Sequence, residues 1–127
     1  MAGDRNAAQA LLEEAFTTQE QTGEYWVHAE LLRLRGELRA IEHRAEQAEQ
    51  DFSEALSTAR GQGARWFELR AATRLARHWL GQGRDQAARD LLSPVLDGFT
   101  EGLGMFDLQD AQALLALCQA RAHRDDL

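Results

Sequence analysis

The sequence contains no lysine, and all 14 of its basic residues are arginine. Chemistry that needs a primary amine, whether a Schiff base or the lysine contact of a phosphate loop, is therefore excluded within this chain. Proline occurs once, cysteine once, and aromatic residues make up only 7%. With so few sheet-favouring residues and long runs of Ala, Leu, Glu, Gln and Arg, the composition predicts a nearly all-helical protein. The lone Cys118 cannot staple the chain, and in the run ALLALCQA it reads as a small apolar core residue rather than a nucleophile. No stretch approaches 18 apolar residues, and the start MAGDRNAAQA has neither a basic n-region nor an apolar core. A soluble cytoplasmic protein, without membrane contact, is the expectation.

What is present fits one domain. The chain has 127 residues, 44% hydrophobic and 28% charged, so a single helical domain over 1–127 is expected. Its formal net charge of −7 argues against nucleic-acid binding, because affinity for phosphates comes from clustered positive charge.

Sliding the chain against itself by 40 residues brings Ala8 onto Ala48 and Ala88, Leu12 onto Phe52 and Leu92, Ala15 onto Ala55 and Val95, and Phe16 onto Leu56 and Leu96. Within each copy these positions are spaced as one apolar helical stripe. They define B-type helices near 5–19, 44–60 and 85–99. A second register aligns Trp26, Trp66 and Phe106, then Leu31, Ala71 and Ala111, then Gly36, Ala76 and Ala116. It defines A-type helices near 24–41, 64–80 and 107–122. Gly23 and the pairs Gly61 and Gly63, Gly81 and Gly83, and Gly102 and Gly104 fall where these helices should stop, as left-handed residues after helix ends. The repeated GxG is no phosphate loop: it follows no strand, and no lysine is available. Asp107 is expected as the N-cap of the last helix, with Asp110 in its acidic first turn. Pro94 is expected to bend the fifth helix or restart it near Ser93.

Helical hairpins of this kind, apolar on two sides, stack into a solenoid. Gly36 and Ala76, whose column continues as Ala116, precede Ala48 and Ala88 by 12 residues, matching the small-residue spacing of the tetratricopeptide pattern, and Phe52 and Ala55 match its later aromatic and alanine. The fold class expected is all-α, with about six helices in tetratricopeptide-like hairpins of period 40 rather than 34.

Three strings are more specific: GEYWVHAELLRLRGELRA (23–40), ARWFELRAATRLARHWLGQGRDQAARDLLSPVLDGFTEG (64–102) and FDLQDAQALLAL (106–117). Together they resemble the C-terminal tetratricopeptide-like region of large bacterial signalling ATPases, which carry N-terminal adenylate/guanylate cyclase or DNA-binding domains. The resemblance covers about residues 23–118 and departs at Leu96 and Gly98, where aromatics are expected. It implies a sensory or scaffolding module with a protein partner such as an ATPase or output domain, and it carries over no catalytic residue.

Little in the chain suggests catalysis. His28, His43, His78 and His123 show no metal-ligand spacing, Ser53, Ser57 and Ser93 have no nucleophile-elbow context, and no paired carboxylates stand out. No cofactor or metal and no enzymatic activity are expected. Two features could bind a partner. Arg70, Arg74 and Arg77 share one face of the second A helix and could grip an acidic peptide or a phosphate. Alternatively they form cross-repeat ion pairs, Glu30 with Arg70, Glu37 with Arg77 and Arg70 with Asp110, which is the favoured reading. Trp26 and Trp66 could form a peptide-gripping wall, although recurrence at one repeat position, shared with Phe106, points to packing.

The leading expectation is thus a non-enzymatic protein-interaction or regulatory scaffold module with A helices lining the binding surface. The alternative is a small-molecule-binding regulatory domain with Trp26, Trp66, Arg70 and Arg74 around a pocket. Because residues 5–19 are B-type with no A-type helix before them, one flank of that helix is expected to lie exposed. Either a longer array or self-association, most simply a two-fold dimer, would cover it.

Overall fold

The computed structural model describes residues 2–99 and 105–125, and side chains over 5–99 and 105–121. Six α-helices follow one another, α1 (Ala2–Thr22), α2 (His28–Ile41), α3 (Ala45–Gln62), α4 (Arg65–Gly81), α5 (Asp85–Asp97) and α6 (Phe106–Asp125), with no strand among the described residues. Each helix packs on the next, while α2 also touches α4 and α4 touches α6. The A-type helices α2, α4 and α6 therefore form one row, and the B-type helices α1, α3 and α5 lie on the other side without touching one another. None of the described helices is long and apolar enough to cross a membrane.

The connections repeat as regularly as the helices do. His43, Gly63 and Gly83 all have positive φ, at 60°, 66° and 79°. Directly after them the amides of Arg44, Ala64 and Arg84 donate five residues back, to the carbonyls of Arg39, Ala59 and Trp79, at 2.9 Å in each case. This is the Schellman closure, in which a left-handed residue turns the chain and the next amide satisfies a helix carbonyl. The same three residues accept the first bonds of the following helices, from Ala48, Glu68 and Ala88. One residue therefore ends one helix and begins another. Gly23, with φ of 72°, closes α1. In each GxG pair within the described residues only the second glycine takes the left-handed role. Gly102 and Gly104 lie outside the described residues.

The core follows the stripes. Ala48, Phe52, Ala55 and Leu56 of α3 and Ala88, Leu92 and Val95 of α5 are buried against Leu69, Ala72, Leu75, Ala76 and Leu80 of α4. At Gly36 a Cβ would sit 2.6 Å from the Phe52 ring, so only glycine lets that ring lie on the α2 backbone. Cys118 is fully buried in the core, where burial first and the charge of Asp85 second push its thiol pKa up, so it is held as an unreactive thiol.

Three local expectations are corrected. The chain does not restart near Ser93: α5 runs through Pro94, whose missing amide costs one bond inside a helix held by its buried stripe. Asp107 is not the N-cap, because α6 begins one residue earlier at Phe106 and the carboxylate is taken by Arg70. The first A helix starts at His28 rather than near 24, which leaves Trp26 in the turn before it.

The first B-type stripe also fares differently from the others. α1 touches α2 alone, Leu12, Ala15 and Phe16 are only half-buried, and Ala8 is exposed.

Candidate interaction surface

The row of A helices carries a continuous charge ladder. On α2, Arg33 donates to Glu30 at 2.7 Å and to Glu37 at 2.9 Å. From α4, Arg70 bridges Glu30 and Asp107, the latter at 2.7 Å, while Arg74 bridges Glu37 and Asp110. Arg77 grips both oxygens of Asp110 at 2.8 and 2.9 Å. Arg33, Arg70, Arg74 and Arg77 thus face Glu30, Glu37, Asp107 and Asp110, and the ladder is neutral.

Of the three cross-repeat pairs expected, Glu30 with Arg70 forms as drawn. The other two shift: Glu37 meets Arg74 instead of Arg77, and Arg70 meets Asp107 instead of Asp110. The long α4 arginines lean towards the helix N-terminus and reach α6 carboxylates three to seven residues before the aligned positions, and Glu37 meets the arginine three residues before its aligned Arg77. The hydrogen bonds that Arg70 donates to Asp107 and Glu30 raise its pKa further and keep it charged. At Asp110 burial pushes the carboxyl pKa up, but the hydrogen bonds and charges of Arg77 and Arg74 outweigh it and hold the pKa below the ordinary range. An acidic ligand on this face would have to displace carboxylates already bound.

The aromatic column is placed differently from the packing its recurrence suggested. Trp26 is 69% exposed, Phe106 74% and Trp66 39%. Trp66 and Phe106 stand in the first turns of α4 and α6, and Trp26 in the turn just before α2. Trp66 leans on Phe99 with ring centroids 5.0 Å apart, and Tyr25 and Met105 are exposed beside their neighbours. The result is an apolar edge flanking the neutral ladder. Trp26 lines a groove with Leu11, Ala15 and Leu31, and that groove does not include Trp66, Arg70 or Arg74, so no common pocket of these four is formed there.

Sequence reasoning missed one buried polar centre. Asp51 on α3 is 2% exposed and takes three hydrogen bonds from Arg35, at 2.8 to 3.2 Å, and one from Arg39 at 3.0 Å. A signal was available. Position 51 aligns with Leu11 and Leu91, and positions 35 and 39 align with Leu75 and Trp79, so one charged trio interrupts three columns that are otherwise apolar but for Gln119. Nearby, Trp79 donates to Glu49 at 2.6 Å and lies under the Arg84 guanidinium. Among the histidines, His28 pairs with Gln19 and His78 with the Ala45 carbonyl, while the side chain of His123 lies outside the described residues.

Fold and surface together define an all-α protein of consecutive helical hairpins with a neutral charge ladder edged by exposed aromatics. No family model matches the chain, and no curated protein or solved structure matches it.

Proposed function

We propose that this chain is a non-enzymatic, tetratricopeptide-like interaction module whose A-helix row receives a protein or peptide partner. The observation that carries the reading is the aromatic edge, with Trp26, Trp66 and Phe106 exposed at the N-terminal ends of three neighbouring helices. Large aromatics left in water beside a paired polar surface are the composition of an interface anchor and its rim. The ladder serves as a rigid floor, since each of its arginines already has a carboxylate. The strings at 23–40, 64–102 and 106–117 support a more particular setting, a cytoplasmic sensory or scaffold part working with a bacterial signalling ATPase or its output domain.

Copurification from the native cell, followed by mass spectrometry, tests the reading in two arms. The Trp26→Ala, Trp66→Ala, Phe106→Ala variant should lose the partner while keeping its helical circular dichroism. The Arg70→Ala, Arg74→Ala, Arg77→Ala variant should retain it. A partner kept by the aromatic variant would remove the edge from the functional account.

A further inference from the structure

Between α1 and α2 lies an apolar groove of about 400 Å³, lined by Leu11, Leu12, Leu31, Leu34 and Ile41 among others. Leu11 is 66% exposed, and Leu34 and Ile41 are exposed as well. Within the chain the corresponding space, eighty residues on, is filled. There α4 packs against α5 and α6, and Ala88, Leu92, Ala111 and Leu114 are buried. Their equivalents around the groove are Ala8, Leu12, Leu31 and Leu34. The groove is therefore a seat for one more A-type helix.

We propose that a second copy of this chain supplies that helix: α6 of one copy enters the α1–α2 groove of the next, and the array continues head to tail. The register argument comes from α2 and α3, where Arg35 and Arg39 meet Asp51, and Gly36 carries Phe52. One repeat on, the same positions hold Leu75 and Trp79 opposite Leu91, and Ala76 opposite Leu92, all in or against the core. A further repeat gives Leu115, Ala116 and Gln119 on α6, and in the same register Leu11 and Leu12 of a second copy stand opposite them. The chemistry matches at each junction: a charged trio, then an apolar trio, then a leucine with a neutral glutamine facing a leucine. Small residues likewise face large ones, glycine under phenylalanine and alanine under leucine.

The outward side of α6 fits the role. Gln109, Gln112, Ala113, Ala116, Gln119 and Ala120 are all exposed and carry no charge, in a chain of which 28% is charged. Leu117 is exposed beside them. Because the groove and its occupant are different surfaces at opposite ends of the array, the contact is heterologous and grows into chains or rings instead of stopping at a two-fold dimer. The proposal rests on packing register and not on the aromatic edge.

Sedimentation of the full 127-residue chain over a concentration series is the test. The average mass should pass that of a dimer as concentration rises. Leu11→Glu blocks the groove end and Ala116→Arg the α6 end; both residues are exposed, so the fold should persist by circular dichroism. Each variant alone should be monomeric, its association weakened about 100-fold or more, since an unpaired charge would be buried against apolar surface. Mixed in equal amounts, the two should form a 1:1 dimer that grows no further, because one groove and one α6 remain intact. Leu34→Glu and Leu117→Glu repeat the design should either first variant unfold. A monomeric wild type up to several hundred micromolar overturns the proposal, as does a dimer that survives Ala116→Arg.

Discussion

The three B-type helices carry one stripe and meet two fates. In α3 and α5 the positions of Ala48, Phe52, Ala55 and of Ala88, Leu92, Val95 are buried, whereas in α1 Ala8 is exposed and Leu12 and Ala15 are only half covered. Spacing and residue type hardly differ between these helices. Their neighbours do: α3 lies between α2 and α4, α5 between α4 and α6, and α1 touches α2 alone. An amphipathic stripe thus sets which face of a helix turns inward, but the burial it achieves is decided by whether a second helix closes over it.

Truncating equivalent residues gives the sharpest contrast. Phe52→Ala should cost about 3–5 kcal/mol, since the ring lies fully packed on Gly36, whereas Leu12→Ala should cost about 1 kcal/mol. Urea unfolding in dilute solution measures both, and equal losses would break the comparison. The turns allow a similar test one size smaller. His43 and Gly83 occupy the same place one repeat apart, both with positive φ. Gly83→Ala should cost about 1–2 kcal/mol, and His43→Gly should gain up to about 1 kcal/mol by relieving the left-handed strain of a side-chain-bearing residue. Chemical unfolding midpoints that move in the same direction for both substitutions would contradict the shared turn geometry.

The smallest effect belongs to the ladder. Asp110 has a lower pKa in the folded chain than in the unfolded one, so its contribution is complete above the ordinary carboxylate range and is lost as pH falls through the lowered value. Its surface position, with a quarter of the side chain exposed, limits the contribution to about 1 kcal/mol or less. Wild type should therefore be slightly more stable than Asp110→Asn near neutrality, with the difference closing in acid. A gap that widens on acidification would reverse the sign assigned to this group.

Most of the helical frame was legible because its signals are local and periodic. The stripes located α3 over 44–60 and α4 over 64–80 to within two residues of Ala45–Gln62 and Arg65–Gly81. The start of α2 was not legible, since Gly23 marks where the turn opens while Trp26 and Val27 continue the apolar pattern through it and no capping side chain marks its end. The aromatic column shows the limit of recurrence: it fixes a position in the repeat, yet a residue at or just before a helix start can stay exposed, as Phe106 and Trp26 do. The face bearing Arg70, Arg74 and Arg77 was readable, but the pairing slipped by a turn because the lean of long side chains is not contained in the register. Asp51 escaped because a single acid among 21 is conspicuous only when its column and the facing column are compared together.

Left-handed residues at 23, 43, 63 and 83 mark the chain every 20 residues, and this even metre governs which changes of length it can absorb. One residue inserted within α3 would rotate everything after it by about 100° and carry Leu56 off the stripe that Phe52 begins. An insertion beside Gly63 would loosen a turn and leave both adjoining faces aimed as they are. Removal of a 40-residue unit would rejoin like to like. Natural or engineered variants of this chain should accordingly differ in length by whole helical hairpins, or at the turns, and seldom by a residue or two inside a helix.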